Sequence, residues 1–207
     1  MPRSQEALAR LVEKEGVSDR VVEAFRRVAR EHFVPKHARR EAYSDYPVGI
    51  PERQTTSQPS LIARMIDALE LEPTDKVLEV GTGYGFQTAL LSTLAREVVS
   101  IERFEELAQT ARSNLAAAGI EGVEVVVGDG WKGVPARAPF DAIVVSAAAR
   151  EVPSALEVQL KEGGRLVIPL SRAFGDDVIL FRKQDGDVKR MKVITPAQFV
   201  PLVEGEP

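Results

Sequence analysis

From Pro59 onward the sequence alternates between segments of helical period and short, almost unbroken runs of Val, Ile and Leu. A helix over 59–70 precedes the strand KVLEV (76–80), a helix over 86–95 the strand EVVSIE (97–102), and a helix over 104–118, closed by Gly119, the strand VEVVVGD (123–129). FDAIVVSAA (140–148), the helical VPSALEVQL and GRLVIPL (164–170) continue the series. Strands without polar alternation are buried on both faces, and parallel strands linked by covering helices satisfy that requirement. The predicted fold is therefore α/β: an open, mostly parallel sheet with helices on both faces. DVILFRKQ and VKRMKVIT flank Asp185-Gly186-Asp187, a hairpin signal that adds antiparallel strands at the C-terminal end.

A less regular preface occupies residues 1–58, within a chain of 207 residues read as one domain. A helix over 4–15 carries Leu8, Leu11 and Val12 on one side. Ser18 can cap a second helix, in which Val21, Val22, Phe25, Val28 and Ala29 recur at helical spacing until Pro35 stops it. Residues 41–58 read as a loop rich in aromatic and turn residues, and the preface 1–58 as a whole is expected to help cover the active site.

The turn after the first long strand, Glu79-Val80-Gly81-Thr82-Gly83-Tyr84-Gly85-Phe86, lies where an open α/β sheet binds its ligand. Its glycines follow Gly-x-Gly-x-Gly, whereas a dinucleotide fingerprint would need Gly or Ala where Phe86 stands. Two further strands end in Glu102-Arg103 and in Asp129-Gly130. A carboxylate at the first place can accept from ribose hydroxyls, and one at the second from an adenine amino group. Three such signals at successive strand ends converge on one crevice.

QTTSQP (54–59) crowds hydroxyls at a helix entrance with no histidine or cysteine beside them, so Ser57 would be a poor nucleophile. Pro59 suits the first helical turn, and the free N–H groups there, with the Ser57 hydroxyl, can cradle a carboxylate. A carboxylate is ionised at neutral pH and needs positioning rather than a base. The alternative is that Ser57 merely caps the helix.

The glycine turn with its preceding Glu79 resembles motif I of S-adenosylmethionine-dependent methyltransferases, which implies a Rossmann-like fold. The longer stretches EHFVP, AYSDYPVGI, QTTSQP, VLEVGTGYGFQTA, SIER, GDGWKG, FDAIVVSAAAREVP, QLKEGGRLVIPL and FVPLV resemble the protein-L-isoaspartate (D-aspartate) O-methyltransferase family. That resemblance implies transfer of a methyl group from S-adenosyl-L-methionine to isoaspartyl carboxylates of damaged proteins, with S-adenosyl-L-homocysteine as product. It implies Ser57 as the active-site serine. Cofactor contacts fall on Thr56, Ser57, Gln58, Glu79, Gly81, Thr82, Gly83, Gly85, Glu102, Arg103, Asp129 and Gly130. Substrate contacts fall on Pro47, Val48, Ile50, Thr55, Ala147 and Ala148. The sequence departs from the family pattern at Pro51-Glu52-Arg53, Tyr84, Phe86, Arg150 and Gln198, which bears on peptide preference.

Composition closes several other routes. With no cysteine there is no disulfide, thiolate catalysis or cysteine metal site. His32 and His37, five apart, do not share a helix face, so no metal site is expected. The net charge of −4 argues against broad nucleic-acid binding, and Lys36-His37-Ala38-Arg39-Arg40 reads as a solvated helix end. No long apolar run or signal pattern is present, so the expectation is a cytoplasmic monomer without a membrane partner. A nicotinamide oxidoreductase and a catalytically silent binding module are the competing readings.

Overall fold

The computed structural model describes residues 4–205; Met1 to Arg3 and the last two positions of the expected domain lie outside them. Two short helices open the chain, α1 (Gln5–Glu13) and α2 (Asp19–Arg27). Ser4 caps α1 by accepting from the Ala7 N–H at 3.2 Å. Leu8, Ala9 and Val12 are buried along one side of α1, and Val21, Val22, Ala24 and Phe25 along α2. The second helix ends earlier than the apolar spacing suggests: Val28 is extended, and Arg30–Phe33 forms a separate 3-10 turn. Ser18 holds the N-cap position but makes no side-chain cap; its own N–H donates to Asp67 Oδ1 at 2.8 Å.

The expected loop over 41–58 contains an antiparallel ribbon, β1 (Val48–Ile50) with β2 (Gln54–Thr56). Its turn places Glu52 and Arg53 at φ 58° and 57°, a left-handed conformation that hairpin turns need and that glycine or asparagine adopts more cheaply.

The remaining elements are α3 (Pro59–Asp67), β3 (Lys76–Val80), α4 (Phe86–Ser92), β4 (Glu97–Glu102), α5 (Glu105–Ala117), β5 (Val123–Val127), β6 (Phe140–Val145), α6 (Ser154–Gln159), β7 (Leu160–Ser171), β8 (Asp176–Gln184) and β9 (Asp187–Ala197). Among the described residues β3 to β9 form a sheet in the order β5-β4-β3-β6-β7-β8-β9. Pairing from β5 to β7 is parallel, and β8 and β9 add antiparallel strands. The hairpin turn at Asp185 and Gly186 has φ 58° and 86°, as the sequence predicts for this dipeptide. Two register shifts interrupt the pairing of β8 with β9.

The sheet separates two apolar layers. Val77, Val98, Ala142, Val144 and Val167 face a cluster with α1 to α4, whereas Leu78, Val99, Ile143, Leu166 and Ile168 face a second cluster with Leu156 and Leu160. Adjacent strand residues thus feed opposite layers, which accounts for the lack of polar alternation. The order reverses between β3 and β6, where connections leave to opposite sides and a crevice opens at the strand ends.

Candidate active site

That crevice, of about 170 Å³, is lined by Val80, Gly81, Gly83, Ile101, Glu102 and Phe104, together with Ile50, Thr55, Ser146, Ala147 and Val200 to Val203. Gly81 has φ 95°, which calls for glycine, and a Cβ there would sit tightly, 3.3 Å from the Ser146 Cβ. Gly130 also lines the crevice; a Cβ on it would lie 2.5 Å from Val80. Gly85 starts α4 and packs on Leu115 and Ala111 rather than on the crevice.

Glu102 is 5% exposed at the end of β4. Its Oε2 accepts from the Gly83 N–H at 2.8 Å and its Oε1 from the Phe104 N–H at 3.1 Å. Burial raises its pKa, and the surrounding backbone N–H groups pull it partly back. The carboxylate lines the crevice, within reach of a ligand hydroxyl. Because Gly83 donates to this carboxylate, that loop donor is already committed and does not point at a phosphate.

Three expected cofactor residues do not line this crevice: Glu79, Asp129 and Thr82, the last of which lines only a narrow passage beside it. Glu79 is fully buried: Oε1 accepts from Gln87 Nε2 at 3.0 Å, and Oε2 from the hydroxyls of Ser100, at 2.6 Å, and Thr88. Burial pushes its pKa up to about 7 against those bonds. Thr82 is 2.5 Å from the Ser100 hydroxyl. Asp129 accepts from the Trp131 N–H at 2.9 Å and from the Gly205 N–H at 2.9 Å. Arg103 lines the crevice and donates to the carbonyls of Val203 and Gly205 at 3.3 and 2.7 Å. Asp129 and Arg103 therefore grip the segment that crosses the crevice, which also pairs beside Ala148 through the Ala148 N–H to Val200 carbonyl bond at 2.8 Å.

A second, larger groove of about 600 Å³ runs from Ser146 past Pro47, Thr55, Ser57 and Gln58 to Arg64, Thr195 and Phe199. A narrow passage lined by Thr55, Thr56, Ser57, Gly81, Gly83 and Ser146 adjoins both. Val48 does not line these cavities; it is buried with Val34, Ala38 and Ala42 and supports the ribbon. Gln58 is the N-cap residue of α3 without a side-chain cap, and its amide donates to the Ser60 hydroxyl at 2.9 Å. The Ser60 N–H and hydroxyl are both taken by Asp45, at 2.9 and 2.8 Å, so that first-turn donor is not part of a carboxylate cradle. Among the described residues no protein group bonds to the Ser57 hydroxyl, and it caps no helix.

The sequence reading missed Arg30. Its guanidinium, 0% exposed, donates to the carbonyls of Ala42, Ser44, Tyr46 and Ser57 and to the Thr56 hydroxyl, all within 3.0 to 3.2 Å. Burial pulls its pKa down to about 10, with Asp45 opposing. It lies 5.6 Å above the Phe86 ring, which also meets Phe25 and Phe33 at 5.7 and 6.0 Å. Phe86, the residue that breaks the dinucleotide fingerprint, thereby anchors the preface to the helix after the glycine turn.

The sequence profile of the protein-L-isoaspartate(D-aspartate) O-methyltransferase family matches residues 3–207. The chain belongs to that family. Among its relatives, the protein-L-isoaspartate O-methyltransferase of Methanoculleus marisnigri is 49% identical over 91% of this chain and 86% of its own length. That of Roseiflexus castenholzii is 45% identical over 96% and 91%. A solved protein-L-isoaspartate O-methyltransferase superposes with a TM-score of 0.86 at 33% identity, covering 98% of this chain; this chain spans 66% of that longer one. A Plasmodium falciparum protein, solved in complex with S-adenosyl-L-homocysteine, shares the fold with a TM-score of 0.83 at 23% identity, covering 99% of this chain and 100% of that one. In this isoaspartate methyltransferase-family chain the sequence-predicted residues Gly81, Gly83, Glu102, Arg103 and Gly130 converge on the first crevice, Pro47, Ser57 and Gln58 on the groove, and Thr55 on both.

Proposed function

We propose that this chain is a protein-L-isoaspartate O-methyltransferase that esterifies the free carboxylate of isoaspartyl residues, and of D-aspartyl residues, in damaged polypeptides and so initiates their repair. The observation that carries this reading is the unengaged Ser57 hydroxyl on a groove adjoining an apolar crevice, with no histidine, cysteine or lysine lining either among the described residues. An amine or alcohol acceptor would need a base there, whereas a carboxylate does not.

The crevice fits S-adenosyl-L-methionine by its chemistry: Ile101, Phe104 and Leu107 offer apolar walls, Glu102 an acceptor pair for hydroxyls, and the Gly83 N–H is already spent on Glu102. When bound, that cofactor supplies a sulfonium-activated methyl group and leaves as S-adenosyl-L-homocysteine. Gly81, Gly83, Glu102 and Gly130 hold it, while Glu79, Thr82, Gly85, Arg103 and Asp129 fix the wall and the crossing segment. Ser57 donates to the acceptor carboxylate and orients one oxygen in line. The preface 1–58, as part of one domain, contributes Pro47 and Thr55 to the peptide groove, and Ile50, with Ala147, lines the crevice where the cofactor's methyl end would meet the peptide. The absence of cysteine and the charge of −4 support a cytoplasmic, monomeric enzyme that acts on polypeptides rather than nucleic acid. No helix among the described residues is long and apolar enough to cross a membrane.

The test is radiolabelled methyl transfer to matched peptides that differ only in aspartate or isoaspartate, followed by base-labile release of methanol. Labelling of the isoaspartyl peptide alone is expected. Equal labelling of both overturns the assignment to repair.

A further inference from the structure

Ser146, the first residue after β6, lines the crevice, the groove and the passage that adjoins them. Ser57 lines the groove and the same passage from the side of α3. The Ser146 Oγ accepts from Gln87 Nε2 at 3.0 Å, and the same nitrogen donates its other hydrogen to Glu79 Oε1 at 3.0 Å. Glu79 is in turn fixed by Ser100 and Thr88, deep in the sheet. A hydroxyl that accepts from an amide still has its own proton to give. Among the described residues no protein group takes that proton.

We propose that Ser146 is a second residue positioning the acceptor: its hydroxyl donates to the same carboxylate as Ser57, and Gln87, anchored on Glu79, sets its orientation. This inference rests on the carboxyl-transfer reading above. A carboxylate has two oxygens and roughly four lone-pair sites. Two donors, one following β6 and one preceding α3, fix its plane and leave a lone pair facing the methyl group. Ser57 alone would fix one oxygen and let the group turn about that bond.

Steady-state transfer to an isoaspartyl peptide, at saturating S-adenosyl-L-methionine, tests this with Ser146→Ala, Ser57→Ala and the double variant, alongside calorimetry with S-adenosyl-L-homocysteine. Ser146→Ala is expected to lower kcat/KM for the peptide about 10- to 100-fold while homocysteine-adduct affinity stays within about threefold. The double variant is expected to lose less than the product of the single losses, because both hydroxyls serve one carboxylate. A kcat/KM for Ser146→Ala within about twofold of the parent, or a loss matched by an equal loss of S-adenosyl-L-homocysteine affinity, overturns the role of Ser146 alone. Failure of the unaltered chain to label an isoaspartyl peptide overturns the carboxyl-transfer reading and this one with it.

Discussion

The Arg30 guanidinium donates to the Ser57 carbonyl at 3.0 Å, so the backbone of the serine at the groove is held by a cation from the N-terminal preface. The same group ties down the carbonyls of Ala42, Ser44 and Tyr46, which would otherwise be left without partners. Arg30→Met is therefore expected to lower the free energy of unfolding by roughly 3 kcal/mol, since several buried acceptors lose their donor at once. Denaturant titration measures it; a loss below about 1 kcal/mol would show that these carbonyls find other partners.

The role proposed for Ser57 is to position the acceptor carboxylate, not to attack as a covalent nucleophile. Ser57→Ala is expected to slow peptide methylation about 10- to 1000-fold, the range for one oriented hydrogen bond in a transition state, with S-adenosyl-L-homocysteine affinity nearly unchanged. Intact-mass analysis during a single turnover is expected to show unmodified enzyme; an adduct at Ser57 that forms and decays at the catalytic rate contradicts direct transfer.

Glu102 holds the glycine turn through the Gly83 N–H and lines the crevice. Glu102→Ala is expected to weaken S-adenosyl-L-homocysteine binding by roughly 2–4 kcal/mol through loss of two charge-assisted bonds. Calorimetry reads this directly, and unchanged affinity would remove Glu102 from the cofactor contacts.

Burial lifts the Glu79 pKa from an ordinary 4.5 to about 7, so the native state binds its proton more tightly than the unfolded chain does. Between those values the native state carries more protons, and stability falls as pH rises through the window, by up to about 3 kcal/mol. Glu79→Gln keeps the size and removes the charge. Unfolding free energies at pH 5 and pH 8 are expected to differ by about 3 kcal/mol less in the variant than in the parent; equal differences would mean that Glu79 ionises without cost.

The parallel core was legible because each strand feeds two apolar layers and so writes an uninterrupted run, as in Val77 and Leu78 on β3. Helix ends were less so: α3 stops at Asp67, short of the expected residue 70, because the apolar period runs on into a turn that packs Leu69 and Leu71. The β1 and β2 ribbon escaped detection since strands of three residues around Pro51 show no period. Arg30 escaped for a different reason. A charged residue in a helical neighbourhood reads as solvated, and its burial depends on carbonyls 12 to 27 residues away. Asp129 follows β5 as the sequence indicates, but the sequence does not reveal that the Gly205 N–H, 76 residues later, returns to it. Ser146 sits in FDAIVVSAA, where a small polar residue after an apolar strand looks like an ordinary exit; the signal is Gln87, polar and buried on a helix whose neighbours are apolar.

An enzyme that accepts damaged chains meets polypeptides with unpaired backbone, and an open sheet offers such chains a template. The β9 margin has no strand beyond it among the described residues, yet its two register shifts against β8 bend it, and Lys189, Arg190 and Lys192 are exposed along it. A bulged, lysine-bearing margin is a poor surface for strand addition. On the function proposed above, such a margin discourages client chains from adding to the sheet, so that the groove lined by Ser57 is where their extended backbone is expected to dock.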